Sequence, residues 1–154
     1  MPTVTLMCGP AGAGKTTHAM GLERAGAVRL SMDEAVWADG WRDAEPPQAR
    51  LDELHQGLQG ALVDAVEAGR DVVVDLSLAS RAIRDEWRLL ALRSGAQPQI
   101  VVLTAPFEVL LRRVQRRAAD HANAVVMTED RLRHYVDGFD WPGPDEPHTV
   151  INTA

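Results

Sequence analysis

The sequence predicts an α/β sandwich, a five-stranded parallel sheet with helices on both faces, built as a single domain over residues 1–154. Three observations predict it. The runs at 3–8, 71–76 and 100–104 are short and apolar, the second of them rich in valine, which marks buried strands. Longer stretches of helical periodicity separate them, the alternation that βαβ units require. A glycine-rich turn at Gly9, Gly12 and Gly14 joins the first strand to the first helix.

The elements follow in order. Residues 3–8 read as a buried strand, and residues 15–24, after the glycines, have helical character. A second strand covers 27–31, and a polar segment with Trp37 and Trp41 runs over 33–42 until Pro46 and Pro47 break the chain. On a helix the two tryptophans would share a face, forming core or lid packing or an aromatic wall. A helix over 48–68 leads to a central strand at 71–76, whose exit carries Asp75. The next helix spans 80–93 and stops near Gly95, and 100–104 is the fourth strand. Pro106 suits the first turn of a helix reaching Arg117, Thr128 caps another beginning at Glu129, and Val150 and Ile151 close the sheet. Residues 118–127 show no clear periodicity and follow an arginine cluster, so a small lid is expected at about 113–127.

Composition excludes several classes. No apolar run is long enough to span a membrane, and Met1 leads straight into a strand with no export signal. The single cysteine, Cys8, forms no internal disulfide and reads as a small hydrophobe, so a cytoplasmic address is expected. A formal charge of −6 disfavours a long nucleic-acid footprint. The five histidines show no metal-ligand spacing, which argues against zinc.

Gly9-Pro-Ala-Gly-Ala-Gly14-Lys15-Thr16 satisfies the P-loop pattern in full, between a strand and a helix as its mechanism demands. Glycines let backbone N–H groups converge on phosphates, and the following helix aims its positive end at them. Gly9, Ala11, Gly12, Ala13, Gly14, Lys15, Thr16 and Thr17 are therefore the expected ATP-binding residues. Lys15 would reach the β- and γ-phosphates, and the Thr16 hydroxyl would coordinate Mg2+.

The rest of the chain favours a kinase over other P-loop proteins. No Asn-Lys-x-Asp segment follows the fourth strand, where 104–107 reads Thr-Ala-Pro-Phe, so guanine recognition is not expected. Asp33 stands at the exit of the second strand, where its carboxylate either accepts the proton of an attacking hydroxyl or caps the nearby helix. Arg112, Arg113, Arg116 and Arg117 form a run in which at most two can face one ligand; the four-residue spacing puts Arg113 and Arg117 on one face, while a solvated helix face is the plainer reading. Arg81 and Arg84 either guide an acceptor or pair with Asp85 and Glu86 on a helix surface.

On Gly9 to Thr17, Ser31-Met-Asp33, Val72-Val-Val-Asp75, Pro106-Phe-Glu-Val-Leu-Leu-Arg-Arg113 with Arg117, and the closing segment from Phe139 to Ile151, the chain resembles the P-loop kinases that include polynucleotide kinase, zeta toxin and chloramphenicol phosphotransferase, small AAA-domain-containing ATP-binding kinases. The resemblance implies the strand order 2-3-1-4-5, ATP and Mg2+ as cofactors, and an alcohol group as acceptor. It also implies Asp33 as general base, Arg113 and Arg117 as lid arginines assisting Lys15 in catalysis, and Asp75 as a strand-end acid near Mg2+ or the acceptor. Two departures stand out: Val36 lies where polynucleotide kinases place an arginine, and Asp75-Leu-Ser77 replaces their Asp-Thr-Asn. The expected partner is thus a small-molecule hydroxyl acceptor of unknown identity, with nucleic acid disfavoured. Its rivals are a polynucleotide 5′-hydroxyl or zeta-toxin-like kinase, and a nucleotide-dependent regulatory protein with slow ATP hydrolysis.

Overall fold

The computed structural model describes residues 1–42, 44–120 and 127–154, with the side chains of 118–120 excepted. Five strands, β1 (Thr3–Cys8), β2 (Val28–Ser31), β3 (Val72–Asp75), β4 (Gln97–Thr104) and β5 (Thr149–Asn152), make one sheet in the order β2-β3-β1-β4-β5, as expected. Every neighbouring pair is parallel. The helices are α1 (Lys15–Arg24), α2 (Met32–Ala38), α3 (Gln48–Glu67), α4 (Arg81–Arg93), α5 (Phe107–Asp120) and α6 (Glu129–Asp137).

Period-two alternation along fully buried strands sends side chains into both helical layers. Val4, Leu6, Cys8, Val72 and Val74 pack with Leu62 of α3, Trp87 and Ala91 of α4, and Phe139. Met7, Val73 and Leu103 face the other way, onto Ala19 of α1, Leu110 and Val114 of α5, and Leu132 of α6. No helix among the described residues is long and apolar enough to cross a membrane.

Several expectations are corrected. β4 begins at Gln97, three residues earlier than the apolar run, because Gln97, Pro98 and Gln99 pair with Thr3, Val4 and Thr5 of β1. β5 pairs only with Val101–Thr104, so beside Pro98 one edge of β4 is open and a residue without an N–H is tolerated. The polar segment after β2 opens as α2, whose N-cap is Ser31: its hydroxyl accepts from the Glu34 N–H at 3.3 Å. Asp33 is therefore not the cap but a first-turn residue. Trp37 and Trp41 form neither core nor wall, since α2 ends at Ala38. Trp37 is 41% exposed with the Arg42 guanidinium 3.3 Å from its ring centre, and Trp41 donates to Asp39 at 2.9 Å. The span expected as a lid is helical in its first part, because α5 carries the backbone from Arg113 on to Asp120. Residues 121–126 of that span lie outside the described residues.

Candidate active site

β1, β2 and β3 end side by side, at Cys8, Ser31 and Asp75, and the residues just beyond them form one rim at the carboxyl edge of the sheet, where open α/β folds bind ligands. The P-loop leaves β1 here. Gly12 and Gly14 have φ of +82° and +96°, the left-handed backbone that turns this short loop into α1. Gly9 is glycine for a packing reason: a Cβ there would lie 2.5 Å from the Leu103 carbonyl oxygen of β4. Its N–H donates to the Ser77 carbonyl at 3.2 Å, tying the P-loop to the turn after β3.

Lys15, the only lysine of the chain, opens α1 and donates from Nζ to the Pro10 carbonyl at 2.9 Å. Burial pulls its ammonium down from 10.5 to about 8, with Asp75 and Asp33 opposing and Arg117 adding to the fall. These charges act on one another only because the fold brings their elements to the same rim. Thr16 donates from Oγ1 to Asp75 Oδ2 at 3.3 Å, so the two residues expected near magnesium are neighbours. Their oxygen donors suit a hard cation that keeps waters and phosphate oxygens as its other ligands. Among the described residues no group of three or more His, Cys, Asp or Glu side chains is placed to hold a metal. Asp33 is exposed, Thr17 is exposed beside the loop, and Ala11 and the buried Ala13 line it without bulk.

The two arginines expected to act together lie one turn apart on α5 and meet different partners. Arg117 is exposed and lies within electrostatic reach of Lys15. Arg113 lies under the P-loop: its Nη1 donates to the Gly12 carbonyl at 3.1 Å and to Thr153 Oγ1 at 2.8 Å, and its Nη2 to the Thr153 carbonyl. Thr153 donates in turn to the Ala13 carbonyl at 2.8 Å. Arg113 thus braces the Gly12 carbonyl from α5.

Sequence reasoning missed three supports. Arg29 of β2 donates to Asp75 Oδ2 at 3.0 Å and also bonds Glu34 of α2. Arg84 is fully buried, with Nε 2.7 Å from Glu146 Oε2 and Nη1 on the Leu78 carbonyl at 2.9 Å. That overturns the reading of Arg84 as acceptor guide or surface residue, while Arg81 does pair at the surface, with Asp85 and Asp145. Leu78 holds φ +51°, an unfavourable backbone for a branched residue, and its carbonyl also takes the Cys8 thiol at 3.6 Å. Burial pushes that thiol up to about 11, in keeping with a packing role. Thr153 is the third, and no local pattern marks any of them. One face of α6, with Met127, Asp130, Arg131, His134 and Tyr135, lines a cavity of 360 Å³.

Comparison with known proteins agrees with this architecture. No curated protein matches the sequence. A protein described as a kinase from Chloroflexus aurantiacus j-10-fl superposes with a TM-score of 0.76 at 18% identity, over 99% of this chain and 89% of that one. The APS kinase of Mycobacterium tuberculosis, solved with AMPPNP and APS, gives 0.70 at 20% identity, over 99% and 88%. A gluconokinase from Sinorhizobium meliloti 1021 gives 0.66 at 19%, over 99% and 83%. At such identities these likenesses establish a shared P-loop kinase fold. A family model described as an AAA domain matches residues 4–142, nearly the whole length, and the chain belongs to that family.

Proposed function

We propose that the protein is an ATP-dependent phosphotransferase that moves the γ-phosphoryl group to a hydroxyl of a small acceptor. The observation that carries this reading is the convergence on one sheet edge of the P-loop lysine, the Thr16–Asp75 pair and a separate exposed carboxylate, Asp33. A protein that only bound nucleotide would use the first two and have no need of the third.

In this mechanism the P-loop N–H groups and Lys15 hold the phosphates of ATP, and Arg117 adds charge from the side of α5. Mg2+, held through Thr16 and Asp75, would supply charge neutralisation between the β- and γ-phosphates. Asp33 takes the proton as the acceptor oxygen bonds to the γ-phosphorus; the bond from that phosphorus to the bridging oxygen breaks, and ADP leaves with the electron pair. Most of the rate comes from holding acceptor and phosphate in line. Arg113 acts indirectly, by bracing the loop carbonyls. A small acceptor is favoured over a polynucleotide end because α2 carries Val36 three residues after Asp33, so that no cation stands there for an acceptor phosphate.

The test is incubation with γ-labelled ATP, Mg2+ and a panel of sugars, sugar acids, nucleosides, antibiotics and 5′-hydroxyl oligonucleotides. Label is expected on one small-molecule class and is expected to disappear in Asp33→Asn, with nucleotide affinity retained. Equal transfer by Asp33→Asn would remove the general base. Hydrolysis of ATP with no acceptor labelled would favour a nucleotide-dependent regulatory protein.

A further inference from the structure

Arg29 has no part in the chemistry above, yet it bonds Asp75, which does, and Glu34, the residue after Asp33. Its side chain is 6% exposed, and that of Asp75 is 5% exposed. β2 and β3 are in register with Arg29 opposite Val73 and Ser31 opposite Asp75. By strand alternation Arg29 therefore points to the same face as Asp75, two residues short of it, and must reach along the strand to meet the carboxylate. It does so at Oδ2, the oxygen that also accepts from Thr16. Its other terminal nitrogen bonds Glu34, the residue after Asp33 on α2. Its Nε is buried without a hydrogen bond, 3.6 Å from Glu23 of α1. One guanidinium therefore touches the exit of β3, the first turn of α2 and the end of α1.

A guanidinium is suited to this because its planar fork holds two carboxylates at a set angle, which a lysine ammonium cannot do. α2 needs such a tie: it has only seven residues and buries none of them. No α2 side chain is fully buried, so polar ties set much of its orientation: the Ser31 cap and the Glu34 bond at its start, and the bidentate Asp39–Arg50 pair to α3 at its end.

We propose that Arg29 is a positioning residue for phosphoryl transfer, which sets the distance between Asp33 and the Thr16–Asp75 pair by holding Asp75 with one nitrogen and α2, through Glu34, with another. The inference rests on the phosphotransferase reading for its effect on rate, and on geometry alone for its hold on Asp75.

Two variants test it. Glu34 is 65% exposed, so Glu34→Ala cuts the α2 end of the tie without opening a buried site. It should lower kcat for transfer about tenfold at unchanged KM for ATP, the size of loss a small misplacement of a reacting group produces. In an Asp33→Asn background the same change should have no further effect, because the group it positions is gone. Arg29→Lys keeps the charge but loses the fork, and should raise the Mg2+ concentration for half-maximal ADP binding about tenfold, as loss of a ligand-orienting partner does. Wild-type kcat in Glu34→Ala, or an equal loss with and without Asp33, would overturn the positioning of α2. An unchanged Mg2+ dependence in a folded Arg29→Lys would overturn the hold on Asp75. If the wild type labels no acceptor, the phosphotransferase reading fails, whereas the hold on Asp75 still stands or falls on the magnesium titration.

Discussion

Replacing Glu146 by glutamine isolates the buried charge that shapes the turn beside the P-loop. Arg84 and Glu146 have side chains 0% and 4% exposed, joined by two hydrogen bonds of 2.7 and 3.1 Å. Glutamine keeps the shape and removes the counter-charge, leaving a buried guanidinium with the Leu78 carbonyl and a neutral amide. Removing one partner of such a pair costs about 3–5 kcal/mol, because the remaining ion has lost its water without compensation. That is a large part of the roughly 5–15 kcal/mol that stabilises an ordinary domain. With a urea m-value of about 2 kcal/mol/M, the midpoint should fall by about 1.5–2.5 M. Replacing both partners, Arg84→Met with Glu146→Leu, should restore much of the loss, since a dry apolar pair escapes the desolvation cost. The turn supplies a second readout. Arg84 holds the Leu78 carbonyl, and the next residue back, Ser77, accepts the Gly9 N–H. Loosening it should weaken ADP binding in conditions where Glu146→Gln remains folded. Urea unfolding of the wild type and both variants, with ADP titrations, decides the matter. A midpoint within 0.3 M of wild type, about 0.6 kcal/mol at that m-value, would refute the claim that this pair is desolvated and holds the turn.

Nucleotide binding should depend on pH through Lys15, whose folded value of about 8 lies below the ordinary 10.5. Phosphates bind the ammonium, so above pH 8 binding must take up a proton, and affinity should fall by up to about tenfold per pH unit. For stability the sign is opposite: between about 8 and 10.5 the unfolded chain holds more protons, so the free protein gains stability as pH rises through that window. Selective labelling of the single lysine reads its titration directly, and a flat ADP affinity from pH 7 to 9.5 would contradict this account. Gly9→Ala drives a Cβ to within 2.5 Å of the Leu103 carbonyl, and neither strand can retreat without breaking the β1–β4 pairing. It should cost about 1–3 kcal/mol in urea unfolding and weaken ADP binding as the loop shifts. Wild-type behaviour in both assays would show that the P-loop entry is not packed as described.

What the sequence by itself determined lies in contiguous pattern. The P-loop reads in a line because its backbone must bend at fixed residues, and the buried strands read as apolar runs because both their faces are covered. Asp33 and Asp75 were visible for the same reason: each closes, or closely follows, a strand whose end is legible, and the edge of a parallel sheet is where such ends meet. Tertiary structure alone decided how these groups are held. Arg84 and Glu146 are 62 residues apart, Arg29 and Asp75 are 46 apart, and Thr153 reaches back 140 residues to the Ala13 carbonyl. An arginine on a helix or strand has the same local signature whether it faces water, braces a loop or neutralises a buried acid. Which one it does depends on what the rest of the chain packs against it. So the run at 112–117, read as a set, meets different partners in the fold: Arg113 bonds the Gly12 carbonyl under the P-loop, while Arg117, one turn further along α5, stays exposed near Lys15.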